Sequence, residues 1–291
     1  MEYTIEEFVL SHLPELRRIR KNSYGDFDVL RFTKFCKKRN DLVWVLKSEI
    51  AQNKVVGYII LYERASVDAW IYQIGCKNDV LDEGIQLLIK KAEEILQKKN
   101  HEKIRVLIRD NDNIRIINSL IGRGWKKIDS IWIMERSMSY KSDIIDIKNI
   151  PDNIQIVEAD VNKHLEGVVH VDRAAFIFGH RVPKERLADH LGESGAFVAI
   201  DNSDNSVVGY NYNTIDNNDI GHFIRLATLP DYRRKGIASQ LILEALNWFE
   251  NVEIKSIYLR TIPDSAGSHL YKKYNFIHSQ NESTFEINLG K

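Results

Sequence analysis

The chain has 291 residues, room for two domains of roughly 145 residues that each bury a core. Lys plus Arg and Asp plus Glu stand at 41 each, so no global field recruits nucleic acid or an anionic membrane surface. No run reaches the roughly 18 apolar residues of a membrane helix, the acidic start MEYTIEEF lacks the basic region of a secretory leader, and Cys36 and Cys76 show no C-x-x-C spacing; a cytoplasmic protein without disulfides or bound metal is expected.

In chain order, Tyr3 to Ile5 reads as a short strand and Leu13 to Arg20 as a helix that Pro14 opens at its first turn. Leu42 to Leu46 and Val55 to Tyr62 predict a hairpin turned by Ala51 to Lys54, and Ala69 to Ile74 predicts a third strand. Ile85, Leu88, Ile89, Ala92, Ile95 and Leu96 form one apolar stripe, which predicts a helix over Ile85 to Leu96. Ile104 to Ile108 is a strand, Asn113 to Leu120 a short helix ended by Gly122 and Gly124, and Ile131 to Met134 the last strand of this half. A polar, charged linker is expected over 139–152, dividing the chain into domains 1–138 and 153–291.

The second half opens with strand Ile154 to Val157 and a helical Leu165 to Val171, then a segment that Pro183 interrupts. Ala196 to Ile200 and Val207 to Tyr212 form a hairpin over the polar turn DNSDNS, and a central strand starts at Ile220. From Leu226 the pattern is sharpest. A β-compatible run ends at Leu229, Pro230 stops it, the basic turn Arg233-Arg234-Lys235-Gly236-Ile237-Ala238 follows, and Ile237, Leu241, Ala245 and Phe249 recur at helical spacing. Gly236 lets the backbone approach a ligand, and the unpaired N–H groups of the new helix then face into the turn, so it is a candidate site for a multiply charged anion such as a pyrophosphate. Strand Ile254 to Arg260 comes next.

This order of elements occurs twice. Val55-Val56-Gly57-Tyr58 recurs as Val207-Val208-Gly209-Tyr210, and the same offset of 152 carries Gly84 onto Gly236 and His12-Leu13 onto His164-Leu165. The first copy differs where chemistry is expected. Leu81-Asp82-Glu83 stand where the second copy has three cations, Gln86 stands for Ala238, and Leu120 stands for Tyr271, so the first copy reads as a scaffold without the anion site.

R-x-x-G-x-A between an apolar strand and an amphipathic helix resembles the coenzyme A pyrophosphate loop of the GNAT superfamily of N-acetyltransferases. The family's second signature follows one strand later as DSAGSHLYKKYNF, with Asp264 where the family often has Asn, the pair Leu270-Tyr271, and Phe276 closing the motif; Asn275 replaces the usual Gly. The resemblance covers Phe197 to Asn288. It implies an α/β (α+β) fold of two tandem GNAT-like domains, each a mixed, mostly antiparallel sheet flanked by helices. It further implies acetyl-CoA as co-substrate without a metal, and acetyl transfer to a primary amine of a small molecule or peptide by direct attack in a ternary complex, in a monomer or homodimer.

By the same resemblance the pantetheine arm lies along the backbone of Ala227, Thr228 and Leu229, and the phosphates are held by Arg233, Arg234, Lys235, Gly236, Ile237, Ala238 and Ser239, with Asp264 nearby. Tyr271 matches the general acid, and His222 is the candidate base on the strand His222-Phe223-Ile224-Arg225. Phe176, Phe178, His180 and Arg181 border the acceptor side. The alternative is a non-catalytic acyl-CoA-binding or interaction protein of GNAT fold. Tyr271, framed by Leu270 and Phe276, separates the two readings, because binding alone does not demand it.

Overall fold

The computed structural model describes residues 3–19, 40–63, 68–110, 113–139, 150–177, 180–192, 195–216 and 220–290. Twelve strands run in chain order: β1 Tyr3–Glu7, β2 Val43–Ser48, β3 Lys54–Glu63, β4 Asp68–Cys76, β5 Lys103–Arg109, β6 Lys126–Ser137, β7 Ile154–Glu158, β8 Ala196–Asp201, β9 Ser206–Asp216, β10 Ile220–Thr228, β11 Ser256–Thr261 and β12 Ile277–Asn288. The helices are α1 Leu13–Ile19, α2 Leu81–Lys98, α3 Ile114–Gly122, α4 Val161–Ala175, α5 Lys184–Leu191, α6 Ile237–Asn251 and α7 Ala266–Lys273.

Two compact units result, Met1–Ile131 with Gln280–Lys291, and Trp132–Ser279. In the first, strands follow the order β1-β2-β3-β4-β5-β12; in the second, β6-β11-β10-β9-β8-β7. Each sheet is antiparallel apart from one parallel pair, β4 with β5 and β10 with β11. The repeat is visible in the starts of β3 and β9 at Lys54 and Ser206, and of β4 and β10 at Asp68 and Ile220, both 152 residues apart.

The division differs from a cut at a linker over 139–152. Strand β6 pairs β11 from Trp132 to Ser137, and β12 pairs β5 from Glu282 to Asn288, so each half of the chain lends its last strand to the other's unit. The exchange is written into both cores. Phe285 is buried with Val106 and Ile108 in the first, whereas Met134 is buried with Ile257 and Leu259 in the second. Residues 140–149 and Cys36 lie outside the described residues. Cys76 is a buried free thiol, held well above its ordinary pKa by desolvation.

Helix α2 begins at Leu81, earlier than its apolar stripe suggests, and Gly84 lies inside it. A Cβ on Gly84 would sit 2.8 Å from Cys76 Sγ and 3.0 Å from a Leu46 methyl, so this glycine lets the helix approach the sheet. Its counterpart Gly236 instead starts a helix from a left-handed turn (φ 81°). One alignment column therefore serves packing in the first copy and a turn in the second.

In the second unit α6 buries Ile237, Leu241, Ala245 and Phe249 against one face of the sheet, and α4 buries Val168, Val169 and Val171 against the other. Asp160 caps α4 by accepting the Asn162 N–H at 2.9 Å. Among the described residues no helix is long and apolar enough to cross a membrane, and no group of three or more His, Cys, Asp or Glu is placed to hold a metal ion.

Candidate active site

Strand β10 is held on one side by β9 along its whole length, but it pairs with β11 only from Ile220 to Phe223. Beyond Phe223 the two parallel strands separate, which leaves one edge of β10 without a strand partner. The Leu229 N–H donates to Val208 C=O at 2.9 Å, toward β9. Backbone groups alternate in direction along a strand, so Ala227 also points toward β9, and the groups facing the gap belong to Leu226 and Thr228. Of Ala227, Thr228 and Leu229, Thr228 alone is aimed as expected, and Leu226 joins it. The Thr228 hydroxyl is buried and has no hydrogen-bond partner among the described residues.

A β-bulge at Ile224 breaks the register between Phe223 and Arg225. Phe223 and Leu226 pack on the α6 face, which leaves Ile224 and Arg225 together on the α4 face. Past the strand, Pro230–Tyr232 form a single turn of tight helix, and Arg234 (φ 63°) and Gly236 (φ 81°) are both left-handed. The first backbone bond of α6 runs from Gln240 N–H to Gly236 C=O, so the amides of Ile237, Ala238 and Ser239 lie outside the helical ladder. Left-handed residues followed by free amides make a concave anion cradle, with the positive end of the α6 dipole behind it. Arg233, Arg234 and Lys235 are exposed around it. The turn is anchored by Tyr232, whose hydroxyl donates to Asp201 at 2.8 Å and whose ring lies 4.8 Å under Lys235 Nζ. These features fit a coenzyme A pyrophosphate.

Tyr271 is buried on α7 between two rings, Phe223 at 5.7 Å and Phe276 at 5.9 Å, both edge-on. Its hydroxyl has no hydrogen-bond partner among the described residues, and burial raises its pKa well above the ordinary value, so it stays protonated. Asp264 is exposed and left-handed (φ 50°) just before Ser265, which caps α7 by accepting the Ser268 N–H at 3.1 Å. Asn275 takes the left-handed conformation (φ 59°) that a glycine would supply.

His222 lies one residue before Phe223 and therefore points to the opposite face from Tyr271. Its ring stacks on Tyr258 at 4.2 Å, and Nδ1 is 3.7 Å from an Asp216 oxygen. Burial, with Arg260 and His190 adding to it, lowers its pKa to about 3. The expectation of a His222 pKa useful near neutrality is thus corrected: the imidazole is neutral but weakly basic.

Of the expected acceptor contacts, His180 and Arg181 are exposed, Phe176 lies 3.7 Å beneath the Arg225 guanidinium, and Phe178 is outside the described residues. Sequence reasoning missed the group that organises this side, Asp172, Tyr210 and Arg225, which are buried or nearly so and mutually hydrogen-bonded.

The profile of the acetyltransferase (GNAT) family matches residues 165–276, spanning the turn and Tyr271. Those residues are similar to the GNAT acetyltransferases. An N-alpha-acetyltransferase of Saccharolobus solfataricus is 36% identical over 105 residues, which is 31% of this chain and 62% of that protein, so the match spans about three fifths of the relative's length. Two solved structures show the same fold over the whole chain. A GCN5-related N-acetyltransferase from Sphaerobacter thermophilus superimposes with a TM-score of 0.76 at 13% identity, covering 99% of this chain and 96% of its own. A tandem GNAT protein from the clavulanic acid biosynthesis pathway gives 0.75 at 12% identity, covering 100% and 99%. Within the tandem GNAT fold, the open amide turn belongs to the second unit. At the matching place in the first, α2 starts with Asp82 and Glu83 in its first turn.

Proposed function

We propose that the second unit is an acetyl-CoA-dependent N-acyltransferase that acylates a primary amine, and that the first unit is a scaffold without a coenzyme site. The observation that carries this is Tyr271, a buried residue whose phenol is kept protonated by desolvation, in the unit that also has the open amide turn. Acetyl-CoA supplies an activated acyl thioester when bound. The amides of Ile237, Ala238 and Ser239, with Arg233, Arg234 and Lys235, hold its phosphates, and the free edge of β10 at Leu226 and Thr228 receives the pantetheine arm. Tyr271 gives its hydroxyl proton to the leaving sulfur, a role suited to a phenol kept neutral by burial.

No nucleophilic side chain is needed, since an oriented neutral amine attacks directly. With a pKa near 3, His222 accepts a hydrogen bond but does not hold the amine's proton; that proton is assigned to solvent. The named activity of the Saccharolobus solfataricus relative makes a peptide α-amine the first acceptor to try. The test is thiol release from acetyl-CoA with a panel of primary amines that includes short peptides with free N-termini. Acceptor-dependent release supports the proposal. Coenzyme binding without release for any amine would favour a binding protein instead.

A further inference from the structure

We propose that Asp172 and Arg225 are positioning residues that fasten the acceptor-side segment after α4 to the open edge of β10, and so set acceptor affinity. The proposal rests on the N-acyltransferase reading. Of the described residues between α4 and α5, Ile177, His180 and Arg181 are exposed, and among them His180 N–H donates to Ile177 C=O at 2.9 Å and Arg181 Nε to Phe176 C=O at 3.0 Å. What ties it down comes from the sheet and from α4. One Asp172 oxygen accepts the Val182 N–H at 3.0 Å; the other accepts Arg225 Nε at 2.8 Å, Arg225 Nη2 at 2.5 Å and the Tyr210 hydroxyl at 2.7 Å. Arg225 Nη2 also donates to His180 C=O at 2.7 Å, and its plane covers the Phe176 ring. Asp172 is 1% exposed.

A buried ion pair is a poor way to gain stability, since well-packed apolar residues do as well, but its directional bonds fix geometry. The geometry fixed here is specific. Arg225 reaches the α4 face because of the bulge at Ile224, and that bulge sits where β10 parts from β11. The distortion that opens the coenzyme edge is the same one that aims the guanidinium at the acceptor segment. Tyr271 and the amide turn take no part in the cluster, so the acceptor side can be loosened while the coenzyme side stays intact.

The double substitution Asp172→Asn with Arg225→Met avoids stranding a buried charge, and Arg225→Lys keeps the charge while losing the fork. Wild type and both variants are assayed with the best amine of the panel, alongside coenzyme A calorimetry and amide exchange over 180–182. In the double variant the acceptor KM rises about tenfold or more, while kcat and coenzyme affinity stay within about threefold. Exchange at Val182 accelerates, and Arg225→Lys falls between. An unchanged acceptor KM in a folded double variant, or coenzyme affinity falling in parallel with it, overturns the proposal. A wild type that acylates no amine overturns the underlying reading, and this proposal with it, before any variant is compared.

Discussion

Acidification should weaken the second unit through His222. Its imidazole has a pKa of roughly 6.5 in an unfolded chain and about 3 in the native structure, chiefly through burial. The native value lies below the unfolded one, so the stabilisation is fully present above pH ~6.5 and is lost as pH falls from there toward 3. At pH 4.5 the unfolded chain takes up a proton that the native ring refuses, and at roughly 1.36 kcal/mol per pH unit the deficit is about 3 kcal/mol. The Asp216 carboxylate, 3.7 Å from Nδ1, works against this loss and makes the figure an upper one. His222→Gln keeps a polar side chain of similar length but does not titrate. Urea unfolding of both proteins at pH 7.0 and 4.5 should show wild type losing up to about 3 kcal/mol more than the variant. Equal losses would refute the argument from burial, as would a rate profile between pH 6 and 9 with a limb that disappears in His222→Gln.

Tyr271→Phe removes a hydroxyl with no partner to strand, so unfolding stability should change by less than about 0.5 kcal/mol while turnover falls about 10²- to 10⁴-fold at a nearly constant KM for acetyl-CoA. Turnover equal to wild type would remove Tyr271 as the acid. Gly236→Asp puts a side chain at a left-handed residue, at about 1–2 kcal/mol of strain, and a carboxylate into the amide cradle. Coenzyme A binding should vanish by calorimetry while circular dichroism stays native. The same titration on the wild type should give one coenzyme A per chain, because Asp82 and Glu83 occupy the first turn of α2; two equivalent sites would contradict the scaffold assignment.

The amide turn and Tyr271 were legible because their residues are local: a proline stop, three cations, a glycine and a helical stripe lie within one short stretch, and the second signature follows one strand later. Individual backbone directions were less so. Which groups of β10 face the gap depends on where its register with β9 falls, and that register keeps Thr228, turns Ala227 and Leu229 toward β9 and adds Leu226. Arg225 could not be read as a partner of Asp172 and Tyr210, which lie 53 and 15 residues away in sequence. Only the bulge at Ile224 brings it to their face. His222 was placed on the right strand, yet its low pKa comes from burial, with Arg260 and His190 adding to it, none of which a strand pattern contains. The start of α2 was missed for a related reason: Leu81 to Gly84 show no apolar stripe, and the need for a glycine at 84 comes from Cys76 and Leu46, which leave no room for a side chain there.

The crossing of the last strands binds the order of synthesis to the order of folding. Strand β5 emerges from the ribosome long before β12, and the Arg109–Glu282 pair that joins them spans 173 residues. Until those residues appear, the first sheet carries an unpaired edge, an invitation to association with other chains. Contacts of such long separation also slow folding. Each copy on its own, cut at the linker, would lack the strand that closes its sheet. A repeat that looks in the sequence like two interchangeable modules is thus one cooperative object, whose earlier half becomes complete only when the later half is finished.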